Sequence, residues 1–210
     1  MREKGRQNQM LYDKDIREPL FEFLEEQYGK MRILEEKQMG RSRADVVMVL
    51  PEAVVGIEIK SDADTYARLS RQIKDYNQFF DYNYVVVGSS HGCHIEEHVP
   101  LWWGIITVEI VREPDGDKID FYMLRKARKN PAKSQKRMLS LLWRPELAHI
   151  QEINGMARYR EKSKAFVIDK ILEKIPENAL ARQISEELFQ RDYTEIDQRI
   201  KEYRGQRGRF

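Results

Sequence analysis

The chain has 210 residues, of which 41% are hydrophobic and 34% charged, and its formal net charge is +2. This size and hydrophobic content predict one α/β domain with its own core and a smaller appendage. The balanced charge excludes a general basic field for nucleic acid, so any such contact must come from local clusters. No run approaches the roughly 20 apolar residues of a membrane span, and the N-terminus lacks a signal-peptide pattern. Cys93 is the only cysteine, which excludes an internal disulfide and favours a cytoplasmic location.

Residues 13–28 have the spacing of an amphipathic helix. The residues predicted on its apolar face are Ile16, Leu20, Phe23 and Leu24. We expect Pro19 to lie in the first turn, because proline further inside would break the helix.

Three strands are predicted next, at about residues 31–36, 44–50 and 54–60. The last two are apolar runs on either side of Pro51-Glu52, a pattern that predicts a β-hairpin. With the turn near residues 51–53, Asp45 should lie opposite residues 58–59.

Polar side chains should meet at the open end of this hairpin. Glu58 and Lys60 are two residues apart on a strand and therefore share a face, close to Asp45. Two carboxylates can supply oxygen ligands to a divalent metal ion, and a lysine can orient or help to deprotonate an attacking water. The bland alternative is an ordinary charged strand end in solvent.

A βαβ unit follows the hairpin. Residues 64–80 have helical periodicity with Asp62 or Asp64 as a plausible N-cap, and residues 83–88 are typical of a buried strand. Gln72 and Tyr76 are four residues apart and share a helix face. The predicted core residues of this helix are Leu69, Ile73, Tyr76, Phe79 and Phe80.

Beyond this unit, WGIITVEIV and KIDFYML flank the turn sequence EPDGD and predict a second hairpin. Between the two units, the loop residues His91, Cys93, His94 and His98 fit no standard zinc spacing. Trp102 and Trp103 either stack on bases or cap the sheet core, and we favour the core.

Residues 125–137 are rich in lysine and arginine and contain no acid. They predict either a solvated linker or phosphate contacts beside the hairpin site. Residues 138–204 are helical in pattern with Asn178 as an N-cap, and the basic tail that follows predicts disorder. The predicted division is therefore 1–128 for the main domain, 129–137 for a basic linker and 138–210 for a helical region.

Asp45, Glu58-x-Lys60 and Gln72-x3-Tyr76 together resemble the core of the PD-(D/E)XK nuclease superfamily, in its RecB-like branch. EIKSDADT and VPLWWG also resemble an uncharacterised bacterial family of nuclease-like proteins, over roughly residues 12–147. The resemblance implies a restriction-endonuclease-like core, with a mixed central sheet flanked by helices and a C-terminal helical appendage. Residue 44 is alanine where the superfamily motif has proline.

The resemblance implies a metal-dependent deoxyribonuclease that uses Mg²⁺ or Mn²⁺. Asp45 and Glu58 would bind the metal, Lys60 would assist the attacking water, and Gln72 and Tyr76 would orient the site. A third acidic ligand would be Glu35, which we prefer, or Glu18 or Glu22. The residues predicted to contact nucleic acid are Arg43, Arg125, Lys126, Arg128, Lys129 and Lys133.

The expected partner is DNA, whether single-stranded, a duplex end or branched, and the C-terminal helices could support a homodimer or bind a protein. Two other functions stay open at this point. One is a nucleic-acid-binding module without turnover, and the other is a protein-interaction adaptor that works through its helical region.

Overall fold

The computed structural model describes residues 10–88, 94–114 and 116–191. It is a mixed α/β structure whose centre is a six-stranded sheet with the order β1-β2-β3-β4-β5-β6. Pairing is antiparallel from β1 to β3, parallel from β3 to β5 and antiparallel between β5 and β6. The strands are β1 (Arg32–Met39), β2 (Ser42–Leu50), β3 (Ala53–Lys60), β4 (Tyr82–Gly88), β5 (Gly104–Glu113) and β6 (Gly116–Arg125).

Helices cover both faces of this sheet. They are α1 (Asp13–Tyr28), a 3-10 turn (Tyr66–Arg68), α2 (Leu69–Phe79), α3 (Gln135–Ser140), α4 (Arg144–Ile153), α5 (Lys164–Lys174) and α6 (Glu177–Gln190). The described helices include none that combines the length and the apolar character needed to cross a membrane.

Helix α1 covers one face of the sheet and has the predicted bounds. Its residues Ile16, Leu20 and Leu24 are buried and pack against strand residues of a single hydrophobic cluster. The prediction that Pro19 lies in the first turn is wrong, because the helix begins at Asp13. Buried contacts on both sides of the proline hold this second turn in place.

Helix α2 packs on the opposite face and forms the crossover between the parallel strands β3 and β4. All of its predicted core residues are buried. The predicted start of α2 is wrong, because the helix begins at Leu69 and neither Asp62 nor Asp64 caps it. Asp64 instead accepts hydrogen bonds from the N–H and hydroxyl of Ser61, and Asp62 accepts one from Leu11 N.

The C-terminal helices form a layer over the same face as α2. Leu139, Ile150, Ile171 and Leu188 share one hydrophobic cluster with strand residues such as Val47. An appendage joined by a free linker would not share its core in this way. In the described residues, the helical region and the sheet therefore share one hydrophobic cluster.

The predicted linker, residues 129–137, is anchored to the sheet side of the molecule. The Asn130 side chain donates to the carbonyls of Asn77 and Phe80, at 2.8 Å each. Lys133 forms a buried ion pair with Asp81. Later in the chain, α6 begins at Glu177 with Pro176 as its N-cap, so the prediction of Asn178 as the cap is wrong.

The second hairpin, β5–β6, is confirmed, although residue 115 of its turn lies outside the described residues. Trp103 is fully buried and donates its indole N–H to Asn77 Oδ1 at 2.8 Å. Trp102 is partly buried against the same core. Both tryptophans thus serve the core, as we favoured.

Candidate active site

The hairpin strands β2 and β3 separate at the position that the sequence singled out. Their pairing runs from Leu50–Ala53 to Val46–Ile57, so Asp45 and Glu58 are the next residues on the two strands. The Asp45 carboxylate reaches across this fork, and its Oδ2 accepts a hydrogen bond from Ile59 N at 2.9 Å. The predicted approach of Asp45 to residues 58–59 is confirmed.

The hydroxyl of Tyr76 holds the fork from inside. It donates to the Ile57 carbonyl at 3.1 Å and accepts from Asp45 N at 3.3 Å. Tyr76 is fully buried, and burial followed by the negative charge of Glu58 raises its pKa well above the usual value. Its hydroxyl therefore stays neutral and positions the two strands, and it has no surface for substrate.

Gly56 makes room for that tyrosine. A Cβ at this position would lie 2.7 Å from Tyr76 Cδ1 and 2.2 Å from Phe80 Cδ2, both inside van der Waals contact. The missing side chain on β3 allows α2 to lie close to the sheet, which brings the tyrosine hydroxyl to the fork.

Glu58, Lys60 and Gln72 form a compact hydrogen-bonded group. Lys60 Nζ lies 2.6 Å from Glu58 Oε1 and 3.1 Å from Gln72 Oε1, and Gln72 Nε2 also donates to Glu58 Oε1. Glu58 is 1% exposed and Lys60 5% exposed. Two of these contacts converge on Glu58 Oε1, while the other carboxylate oxygen, Oε2, is buried and has no hydrogen-bond partner among the described residues.

Asp45 has an unusual protonation equilibrium. Burial raises its pKa to about 7, and the neighbouring Glu58 carboxylate adds to the rise. The hydrogen bond from Ile59 N and the charge of Lys60 act in the opposite direction but are smaller. A second positive charge, in addition to that of Lys60, would favour the ionised form of Asp45.

The third acidic ligand is not where we expected it. Glu35 is about half exposed and accepts from Arg17 at 3.1 Å, outside the cleft that contains Asp45 and Glu58. Glu18 and Glu22 are exposed on another face of α1. The described residues contain no group of three or more His, Cys, Asp or Glu side chains arranged to hold a metal ion.

Asp13, Glu36 and Asp64 are further carboxylates in the lining of this cleft. The sequence analysis missed Asp13 and Glu36, and it considered Asp64 only as a helix cap. Arg17 joins Asp13 and Glu36, with its guanidinium 2.7 Å from Asp13, 2.6 Å from Glu36 and 3.2 Å from the Asp45 carbonyl. The only signal in the sequence was the i, i+4 pair Asp13–Arg17 beside the buried stripe of α1.

The cleft is open and has a volume of about 380 Å³. Its lining is almost entirely charged or polar: Asp13, Arg17, Glu36, Arg41, Ser42, Arg43, Asp45, Glu58, Ile59, Lys60, Asp64, Arg68, Arg71 and Gln72. Glu36 adopts a φ of 52°, a left-handed conformation that is uncommon for this residue type. It lies on β1 between Glu35 and Lys37, whose partners on β2 are the two neighbours of Asp45.

The basic residues predicted to bind nucleic acid are mostly elsewhere. Arg43 lies on the cleft rim and is paired with Glu36 at 2.5 Å. Arg125, three strands away from β3, donates to the carbonyls of Trp103 and Pro100.

The rest of the basic segment runs away from the cleft. Lys126 and Arg128 are exposed on the path from β6 toward the start of β4, since Arg128 N donates to the Trp102 carbonyl. Lys129 and Lys133 line a different hollow, beside Ala53 at the start of β3. Six residues of extended strand, roughly 20 Å, separate that end of β3 from Lys60. This part of the segment therefore lies away from the cleft, beside which we had expected phosphate contacts.

The histidine loop does not form a site in the described residues. His91 and Cys93 lie outside the described residues, and His98 packs against Tyr66 with ring centroids 4.9 Å apart.

A family model described as Bacteriophage P4 protein cII matches residues 6–207, nearly the whole chain. The chain belongs to the bacteriophage P4 protein cII family. The assignment to the PD-(D/E)XK nuclease superfamily and to the uncharacterised nuclease-like family was therefore wrong. No curated protein and no solved structure matches the chain.

Proposed function

We propose that this protein is a metal-dependent phosphodiesterase that hydrolyses DNA in the cleft at the β2–β3 fork. The observation that carries the proposal is the Oε2 atom of Glu58, a buried carboxylate oxygen to which no group in the described part of the chain donates a hydrogen bond. A buried, unsatisfied acceptor costs free energy, and such a cost is commonly retained where a ligand satisfies it. Asp45 supplies a second carboxylate in the same cleft.

The donor set fits Mg²⁺ or Mn²⁺ better than a softer metal. Both side chains offer oxygen, and the described residues of the lining include no histidine or cysteine. Mg²⁺ is commonly held by one or two carboxylates and retains several waters, so the pair Asp45 and Glu58 is sufficient without Glu35. A bound divalent ion would polarise the scissile phosphate and lower the pKa of a water.

The other residues have roles that follow from their contacts. Lys60 holds a positive charge at Nζ beside Glu58, where it can stabilise negative charge on a phosphate oxygen. Gln72 fixes the orientation of both groups through its amide. Tyr76 keeps the fork open at the position where Asp45 leaves the ladder.

We also propose that the sheet is arranged as a restriction-endonuclease-like core. Helix α1 precedes three antiparallel strands, and α2 crosses to a parallel fourth strand. The charged groups lie where the second and third strands separate. This order of elements supports the arrangement independently of family membership.

A binding module without turnover is the second candidate. It is favoured by the contact between Lys60 and Glu58, because the ammonium already neutralises one of the two carboxylates in the absence of metal. In that case the cleft would hold nucleic acid without cleaving it.

Cleavage of labelled single-stranded, duplex and branched DNA tests the proposal, with Mg²⁺, Mn²⁺ or EDTA. We expect metal-dependent products from the unmodified protein and a loss of at least about a hundredfold in Asp45→Asn and Lys60→Met. The matched controls are Asp81→Asn and Lys133→Met, which break a buried Asp–Lys pair at the other end of the sheet. These controls should retain activity wherever they remain folded. Equal, metal-dependent cleavage by Asp45→Asn would refute the assignment.

A further inference from the structure

We propose that the cleft rim binds one unpaired strand of DNA, with Arg41, Arg68 and Arg71 on its phosphates and Tyr12 stacked on a base. This inference rests on the proposed function for the position of the reacting phosphate. It goes further by naming the form of the substrate and the residues that hold it outside the reacting centre.

The three arginines are the uncompensated cations of the cleft. Arg17 and Arg43 are both committed to carboxylates. Arg41, Arg68 and Arg71 are exposed and form no ion pair with the described residues. Their guanidinium groups are therefore available for phosphate, to which arginine can donate two parallel hydrogen bonds.

Two separate elements supply these arginines. Arg68 and Arg71 are three residues apart at the start of α2 and share a helix face. Arg41 lies in the turn between β1 and β2. Because all three line the cleft that contains Asp45, a strand with its reacting phosphate at Asp45 has cationic partners from two elements for its neighbouring phosphates.

Tyr12 is an exposed aromatic residue that lies next to the cleft in the sequence. It is 49% exposed, and it directly precedes Asp13, which lines the cleft. Its main chain is held in place, because Tyr12 N donates to Asp15 at 3.1 Å. The preceding residue, Leu11, exchanges two hydrogen bonds with Asp62, two positions beyond Lys60.

An exposed aromatic residue next in sequence to a cleft lined with unpaired arginines fits a site for single-stranded nucleic acid. Successive bases can stack on aromatic side chains only when they are not stacked within a duplex. The reacting groups point to the same substrate form, because Glu58 and Lys60 are at most 5% exposed and the cleft is small. A flexible single strand can enter such a cleft more easily than a rigid duplex.

Fluorescence anisotropy with labelled single-stranded and duplex oligonucleotides tests the inference. Measurements use the full chain carrying Asp45→Asn, in EDTA, so that binding is recorded without cleavage. We expect Arg68→Ala with Arg71→Ala to weaken single-strand binding about tenfold or more and to reduce the salt slope by about 1.4. The matched pair Arg128→Ala with Lys129→Ala removes the same charge from the other end of the sheet and should leave affinity unchanged.

Tyr12 separates stacking from charge. We expect Tyr12→Ala to weaken single-strand binding by roughly five- to a hundredfold and Tyr12→Phe to have little effect, with duplex binding unaffected by either. The inference is overturned if the Arg128/Lys129 pair costs more affinity than the Arg68/Arg71 pair, or if Tyr12→Ala leaves single-strand binding unchanged.

The two proposals fail in different ways. If the unmodified protein cleaves DNA and the arginine variants bind it with unaltered affinity, the proposed binding rim is refuted and the proposed nuclease activity stands. If binding depends on the rim arginines but no metal supports cleavage, the proposed nuclease activity is refuted and the proposed binding rim stands.

Discussion

At the scale of single residues, the protonation of Asp45 makes the stability of the fold depend on pH. Its carboxylate is largely buried beside Glu58, and its pKa is raised to about 7. A carboxyl group whose pKa is higher in the folded than in the unfolded state stabilises the fold below its unfolded pKa, near 4. That stability is lost as the pH rises through 7.

Asp45→Asn should therefore stabilise the metal-free protein at alkaline pH. In EDTA we expect its melting temperature to exceed that of the unmodified protein by several degrees at pH 8, and the difference to vanish near pH 4. Differential scanning calorimetry across this range measures the effect. Glu18→Gln replaces a carboxyl group by an amide at an exposed position of α1. This variant should have the same melting temperature as the unmodified protein at every pH. A pH-independent difference for Asp45→Asn would contradict the raised pKa.

The Tyr76 hydroxyl is a second residue-scale test. Tyr76→Phe leaves Asp45 N and the Ile57 carbonyl without their shared partner at a buried position. We expect the free energy of unfolding to fall by about 1–3 kcal/mol in urea titrations. Tyr122→Phe, at a residue that is 53% exposed, should change it by less than about 0.5 kcal/mol. Similar losses in both variants would argue against a positioning role for Tyr76.

The sequence was informative about residues when the decisive geometry was local. Strand alternation and a short turn were sufficient to bring Asp45, Glu58 and Lys60 together. Asp13 and the three unpaired arginines of the cleft were missed because they reach it from α1, the β1–β2 turn and the start of α2. The spacing within one element does not report the approach of another. Glu35 was preferred for its strand position, but its side chain pairs with Arg17 and is not part of the described cleft lining.

At the scale of elements, the close approach of α2 to β3 depends on Gly56. Gly56→Ala would place a methyl group 2.2 Å from the Phe80 ring, which forces the helix or the ring to move. We expect a loss of about 1–3 kcal/mol in the free energy of unfolding. The smaller side chain of Phe80→Leu should recover part of that loss in the double variant. Simple addition of the two single losses would show that the contact is not the cause.

Element types and most bounds followed from periodicity, and the errors are concentrated at helix starts. Asp62 and Asp64 have the chemistry of N-caps, but Leu11 and Ser61 use their carboxylates. Pro19 is tolerated inside α1 because buried leucine and isoleucine contacts hold the helix on the sheet. Both outcomes depend on tertiary contacts that a single stretch of sequence does not contain.

At the scale of the whole molecule, the helical layer and the sheet share a core and should unfold together. Ile171 on α5 is fully buried in the cluster that also contains the β2 residues Val47 and Val49. We expect Ile171→Ala to lower the free energy of unfolding by about 2–5 kcal/mol in a single transition. Coincident curves from tryptophan fluorescence and far-ultraviolet circular dichroism would confirm this. Two separated transitions would instead support an independent helical domain.

The shared core also bears on the division into a main domain, a linker and an appendage, which stays a prediction. The basic composition of residues 125–137 is typical of a linker, but Asn130 and Lys133 use side chains to fasten the segment to Asp81 and Phe80. The apolar stripes of the later helices could equally have faced a partner. Only the packed structure shows that they cover the sheet.

The central claim is that Asp45 and Glu58 together bind a divalent metal ion, and titration calorimetry with Mn²⁺ tests it most directly. Near pH 6.5, in two buffers of different ionisation enthalpy, we predict one binding event that releases a substantial fraction of a proton, because Asp45 must ionise. We predict that Asp45→Asn and Glu58→Gln abolish binding and that Asp81→Asn retains it. An absence of Mn²⁺ binding to the unmodified protein, or unchanged binding in Asp45→Asn, would contradict the account.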